Sequence, residues 1–148
     1  MISPSKKIYY AVEAVLHIAY SAGAEPVSSR DIAAKQNLPP RYLEQIMQKL
    51  VRAGILRGVR GPRGGYLLAR ERRRISVGEI CTILFEDDED ERLVSSTALG
   101  KQLLSPLWDT IGRDTTERLS QVTLADLCEQ ASQKGIRKSN DGGADFTI

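Results

Sequence analysis

The chain is predicted to be mainly α-helical, with one small β-hairpin and a long helix near its C-terminus. Three observations predict this. The first half shows the order helix, helix, tight turn, helix, glycine-rich hairpin. The charge divides by halves: residues 1–74 hold 14 Lys+Arg and 5 Asp+Glu, a balance of +9, and residues 75–148 hold 7 and 14, a balance of −7. A late helix carries an apolar stripe that a chain of 148 residues has limited means to bury alone.

The elements follow in order. Ile8, Val12, Val15, Leu16 and Ala19 recur at helical spacing over residues 7–22, and Gly23 is the stop. Ser28 with Asp31 is a capping-box pattern that opens a second, short helix. Asn37-Leu38-Pro39-Pro40 ends it, and Pro40 can begin the next. A third helix runs over residues 41–53 to Gly54, with Leu43, Ile46, Met47 and Leu50 as its apolar stripe. Residues 55–57 and 66–69 read as strands, and residues 58–65 as a long basic tip between them. Ser76 with Glu79 caps a helix through Ile80, Ile83 and Leu84. An acidic run, Glu86 to Glu91, follows. A long helix spans about residues 98–121, with Ser105-Pro106 as its start or a kink. Thr123 with Asp126 caps a last helix, and the chain from Gln133 is polar and glycine-rich. The expected organisation is a first domain over 1–84, an acidic loop over 85–97, a long helix and terminal helix over 98–132, and a disordered tail over 133–148.

Composition excludes several classes. No apolar run approaches the ~20 residues of a membrane helix. Two cysteines, Cys81 and Cys128, are too few for a secreted disulfide scaffold. The N-terminal stretch is broken by Glu13, His17 and Tyr20 and does not read as a signal peptide, so a cytoplasmic protein is expected. One histidine, no nucleophile elbow and no phosphate-binding loop argue against an enzyme.

The element order is that of a winged helix-turn-helix, and the physics favours double-stranded DNA as its partner. An α-helix fits the major groove and its polar side chains reach base edges. Gln45 can pair bidentately with adenine, and Arg41 and Lys49 can reach guanine or phosphate. Glu44 can accept from the cytosine amino group, and Tyr42 can donate to phosphate. Ser28 and Arg30, which open the second helix, and Pro40, which opens the third, are counted among the expected DNA-binding residues. In the hairpin, Arg60 and Arg63 flank Gly61-Pro62, and Gly64 lies beyond. Glycine permits close approach, and a narrow minor groove attracts arginine. Arg70, Arg72, Arg73 and Arg74 are expected to add attraction without sequence preference.

Tyr42-Leu43-Glu44-Gln45, Gly54-Ile55-Leu56 and Val59-Arg60-Gly61-Pro62-Arg63-Gly64-Gly65-Tyr66-Leu67-Leu68 closely resemble the IscR/NsrR/CymR type of bacterial regulators, the Rrf2 family. Ser76-Val77-Gly78-Glu79, Leu107-Trp108 and Thr123 to Leu127 match as well, and the resemblance covers about residues 1–132. It implies a homodimer joined through the long helix, reading a pseudo-palindromic operator, with repression as the commonest output. The dimer has an independent case: Leu104, Leu107, Trp108 and Ile111 form one stripe, with Leu119 further along, and a two-fold contact would cover it.

Many relatives hold an iron–sulfur cluster on three closely spaced cysteines. The corresponding stretch here, about residues 86–104, has none, so no cofactor and no metal site is expected. The acidic run suits a hard cation or, as the simpler reading, a solvated loop repelled by phosphate. The input is then a regulatory partner protein or a small-molecule effector. The alternatives are redox or cluster sensing through Cys81 and Cys128, or a winged-helix module that binds protein.

Overall fold

In the computed structural model, the described residues are 5–21, 23, 25–86 and 95–138. Most of the acidic run, and the tail from residue 139, lie outside them.

The first helix, α1 (Lys6–Ser21), buries Ala11, Ala14, Val15, Ile18 and Ala19, while Ile8, Val12 and Leu16 pack against the core's edge. Its small alanines let neighbouring helices approach closely. Ser28 caps α2 (Ser29–Gln36), its hydroxyl accepting from the Arg30 amide at 3.2 Å. Asn37 ends α2 in the left-handed region, at φ 56°. Two prolines follow, and Pro40 starts α3 (Pro40–Arg52) in the first turn, where a missing N–H is harmless. Gly54, at φ 80°, closes α3: the Ile55 amide reaches the Leu50 carbonyl and the Gly54 amide reaches Val51. This is a Schellman arrangement.

Strands β1 (Leu56–Val59) and β2 (Gly65–Leu68) pair antiparallel, with Leu56 opposite Leu68 and Val59 opposite Gly65. They run further toward the tip than the sequence indicates, so the loop is only residues 60–64. A turn inside it explains this. Gly61 takes φ 114°, and the Gly64 amide donates to the Gly61 carbonyl at 2.9 Å. Val27 bridges to Tyr66 on the edge of β2 away from β1 and widens the small sheet. A Cβ on Gly65 would lie 2.4 Å from the Val27 carbonyl oxygen, so the approach requires glycine.

A 3-10 turn, Arg72–Arg74, leads to α4 (Val77–Glu86). Ser76 accepts from the Glu79 amide at 3.1 Å. The Glu79 carboxylate does not close the expected box; it takes a bond from Arg70 instead. A π-helical turn, Gly100–Leu104, runs straight into α5 (Ser105–Ser120). Pro106 has no N–H to donate, and the wider turn before it accommodates that gap in the ladder. The C-terminal end of α5 is held close to α4: a Cβ on Gly78 would lie 2.5 Å from the Ser120 nitrogen.

The last helix, α6 (Leu124–Gln133), has a complete capping box between Thr123 and Asp126. Backbone bonds from Val77 to Val122 and from Leu124 to Ile75 join the starts of α4 and α6. One core results, running from Leu43, Met47 and Leu50 of α3 through α1 to Ile80, Leu84, Leu124 and Cys128. The chain after Gln133, expected to be without structure, makes contacts as far as Lys138. The Tyr20 hydroxyl donates to the Ile136 carbonyl, and the Lys138 ammonium lies 5.8 Å from the Tyr20 ring centroid.

Candidate nucleic-acid interface

Helix α3 separates its residues cleanly. Leu43, Ile46, Met47 and Leu50 are at most 2% exposed, so its apolar side is fully used by the fold. The other side presents Arg41, Tyr42, Glu44, Gln45, Gln48 and Arg52 to solvent, with Lys49 half-buried among them. Arg41, Glu44, Gln45, Gln48, Lys49 and Arg52 line a shallow open depression. Five of the six carry donors, and Glu44 is the only one without. The surface suits a ligand rich in acceptors, as phosphates and purine edges are.

The residues expected beside this surface lie at the helix starts. Arg30 and Pro40 are exposed, and Ser28 is half-buried with its oxygen engaged as the α2 cap. Its O–H proton remains available to a phosphate. At the hairpin tip Arg60, Gly61, Pro62 and Arg63 are exposed, and neither arginine pairs with any described residue. Gly64 serves the turn instead. Its amide is taken by Gly61, and a Cβ there would lie 2.3 Å from the Val59 carbonyl oxygen.

The arginines after the hairpin behave differently from the sequence expectation. Arg70 pairs with Glu79 at 2.6 Å, and Arg73 pairs with Glu71. The Arg73 bond and charge hold the Glu71 carboxyl below its ordinary value. Arg72 turns toward the Cys128 thiol. This segment clamps the wing to α4 and α6, and part of its charge is neutralised by the protein itself.

One link was not visible in the sequence. The Gln48 side-chain amide donates to the Tyr66 hydroxyl at 3.0 Å, joining the polar side of α3 to the wing. The residues stand eighteen positions apart, and no local pattern connects them. Burial raises the Tyr66 pKa, the Gln48 bond opposes this, and the nearby Glu44 charge adds to it.

The stripe of the long helix is bare in the single chain. Leu104, Leu107, Trp108 and Ile111 are 57%, 48%, 52% and 39% exposed, and α5 contains no buried residue. Leu119, nearer the Gly78 contact, is half-buried. Leu99 and Leu103 extend the bare surface.

Both cysteines are free, Cys81 half-buried on α4 and Cys128 buried on α6. Burial pushes both thiols up, although Arg72 and Lys138 partly oppose this at Cys128. Among the described residues, no three His, Cys, Asp or Glu side chains gather as a metal would require. Two cysteines on separate helices do not supply the three or four thiolates that hold an iron–sulfur cluster. Among the described residues no helix is long and apolar enough to cross a membrane.

Comparison with known proteins agrees with this geometry. Residues 4–130 match the family described as Rrf2, iron-dependent transcriptional regulator. An HTH-type transcriptional regulator of Haemophilus influenzae is 35% identical over 133 residues, covering 84% of this chain and 85% of the relative. The HTH-type transcriptional regulator IscR of Escherichia coli is 35% identical over 121 residues, covering 80% and 75%. Among solved structures, T. potens IscR superposes with a TM-score of 0.72 at 34% identity, covering 92% of this chain and 93% of that one. CymR, described as the global cysteine regulator of B. subtilis, gives 0.68 at 31% identity, covering 88% and 98%.

Proposed function

The chain belongs to the Rrf2 family of bacterial DNA-binding transcriptional regulators, and from that premise we propose that it is a repressor that binds a pseudo-palindromic operator as a homodimer, without an iron–sulfur cluster. The observation that carries the reading is the pairing of two bare surfaces. One is the donor-rich side of α3 with Arg60 and Arg63 of the wing, which pair with no described residue; the other is the apolar stripe of α5.

In this reading α3 enters the major groove, where Gln45 and Arg41 read base edges and Glu44 accepts from cytosine or rejects poor sequences. Ser28, Arg30, Tyr42 and Lys49 hold the backbone. Arg60 and Arg63 reach the adjacent minor groove from the tip formed by Gly61 and Pro62. Leu104, Leu107, Trp108, Ile111 and Leu119 meet their copies across a two-fold axis, which sets two half-sites about one helical turn apart. The protein works in the cytoplasm, beside the genome. Its signal comes from a partner protein or a small-molecule effector. The thiolate is the reactive form of cysteine, and burial disfavours it at Cys81 and Cys128 alike.

The test is a fluorescence-anisotropy titration against the DNA upstream of the protein's own gene, thiol-reduced in one series and peroxide-treated in the other. The expected result is tight binding of two chains per site, lost steeply as salt rises and indifferent to peroxide. No binding to duplex DNA even at low salt would remove DNA as the partner. Binding abolished by peroxide would restore the thiols as the sensor.

A further inference from the structure

Gln48 occupies the centre of the donor-rich surface, yet its side chain is engaged within the protein. It bonds the Tyr66 hydroxyl at 3.0 Å. Tyr66 is in turn held by its main chain: its amide donates to the Val27 carbonyl at 2.8 Å and its carbonyl accepts from the Val27 amide at 2.9 Å. Val27 immediately precedes the Ser28 cap of α2. The close approach of Gly65 to Val27 keeps this junction tight. Tyr66, only 7% exposed, therefore touches three things at once: the wing it belongs to, the start of α2, and the outward side of α3.

A two-stranded hairpin has little rigidity of its own. Its angle to the body must come from tertiary contacts, and the Gln48–Tyr66 bond reaches the DNA-facing side of α3. We propose that Gln48 and Tyr66 form a positioning pair that fixes the wing relative to α3, so that groove contacts from helix and hairpin engage as one unit. The inference rests on the DNA-binding reading above and deepens it. Gln48 contributes to sequence discrimination through geometry, while Gln45, which makes no such bond, reads bases directly. Preorganisation of this kind strengthens binding only where both contact sets must fit together. It therefore acts on the operator and not on random duplex, which phosphate attraction alone can hold.

The experiment compares Tyr66→Phe, Gln48→Met and the double variant. An operator is first selected from random duplex by the wild-type protein, and affinities for that operator and for random duplex are then measured. Each single variant is expected to lower the ratio of the two affinities by roughly threefold to tenfold, the scale of one hydrogen bond. The double variant should be no worse than either single one; the random-duplex affinity of Tyr66→Phe should hold, and its melting temperature should fall by no more than the few degrees that one hydrogen bond is worth. In spectra of the free protein, the Gln48 side-chain amide resonances should shift on Tyr66→Phe. Additive losses would assign Gln48 its own base contact and overturn the proposal. An unchanged ratio with a lowered melting temperature would make the bond merely structural. Unmoved Gln48 resonances would show that the bond is not formed. A wild-type protein that selects no operator would overturn the DNA-binding reading itself.

Discussion

Helices α3 and α5 are both amphipathic, yet the fold treats them in opposite ways. The apolar side of α3 is closed off at 0–2% exposure, and its polar side faces water. The apolar side of α5 faces water, with Trp108 52% exposed, and the end near Ser120 is pressed against α4. The first region is complete in one chain and lacks a polyanion. The second lacks its own cover. Periodicity reveals that a stripe exists; whether the same molecule covers it depends on the arrangement of every other helix.

The sharpest way to test the contrast is to damage each stripe. Leu50→Ala opens a cavity in a fully buried site, and the expected loss is about 2–5 kcal/mol of unfolding free energy, read by chemical denaturation. Trp108→Asp should leave each chain folded, because the ring is 52% exposed in the single chain and lies outside the core. In the proposed homodimer it should instead halve the mass seen by light scattering to 16.4 kDa and weaken operator binding by roughly 100-fold, the avidity lost when two half-sites are no longer linked. A Trp108→Asp protein that unfolds, or one that remains a dimer, would erase the distinction between the two helices.

How much of this was legible in the sequence divides along the same line. The α3 stripe was read correctly to the residue, because four apolar side chains at helical spacing between Pro40 and Gly54 admit one burial pattern. The Thr123–Asp126 box was legible because caps are local. The Ser76 box was only half right, because Arg70, nine residues from Glu79, offered the carboxylate a charged partner. The hairpin tip is shorter than the sequence pattern indicates because the Gly61–Gly64 turn tightens it. Gln48–Tyr66, Gly65 against Val27 and Gly78 against Ser120 were invisible, since each is a meeting of segments distant in the chain.

The two arginine groups sharpen the contrast within the basic half. Arg60 and Arg63 pair with no described residue, while Arg70 and Arg73 are matched by Glu79 and Glu71. Arg60→Ala should weaken operator binding by about 1–3 kcal/mol and reduce the salt slope by about one unit, with stability unchanged. Arg73→Ala should do much less, because removing it also releases an opposing carboxylate. Equal effects in parallel salt titrations would mean that sequence position, and not pairing, decides which arginines meet DNA.

The smallest expected effect probes the closed region from inside. His17, the only histidine, lies on α1 and its Nε2 stands 3.9 Å from Glu13. Burial lowers its pKa, Glu13 opposes this, and Lys35 adds to it. With the folded value below the unfolded one, the unfolded chain binds the proton first as pH falls. The contribution to stability is therefore present above about 6.5, the ordinary histidine value, and is lost as pH falls through the lower folded value. Denaturation curves at pH 7.5 and pH 5.5 should show the wild type less stable at the lower pH by a modest margin. His17→Gln, which cannot titrate, should flatten that difference. Because α1 packs against both α3 and α6, the slope should appear in the folding of the single chain and be independent of protein concentration in Trp108→Asp as well. A slope that persists in His17→Gln would assign the titration elsewhere.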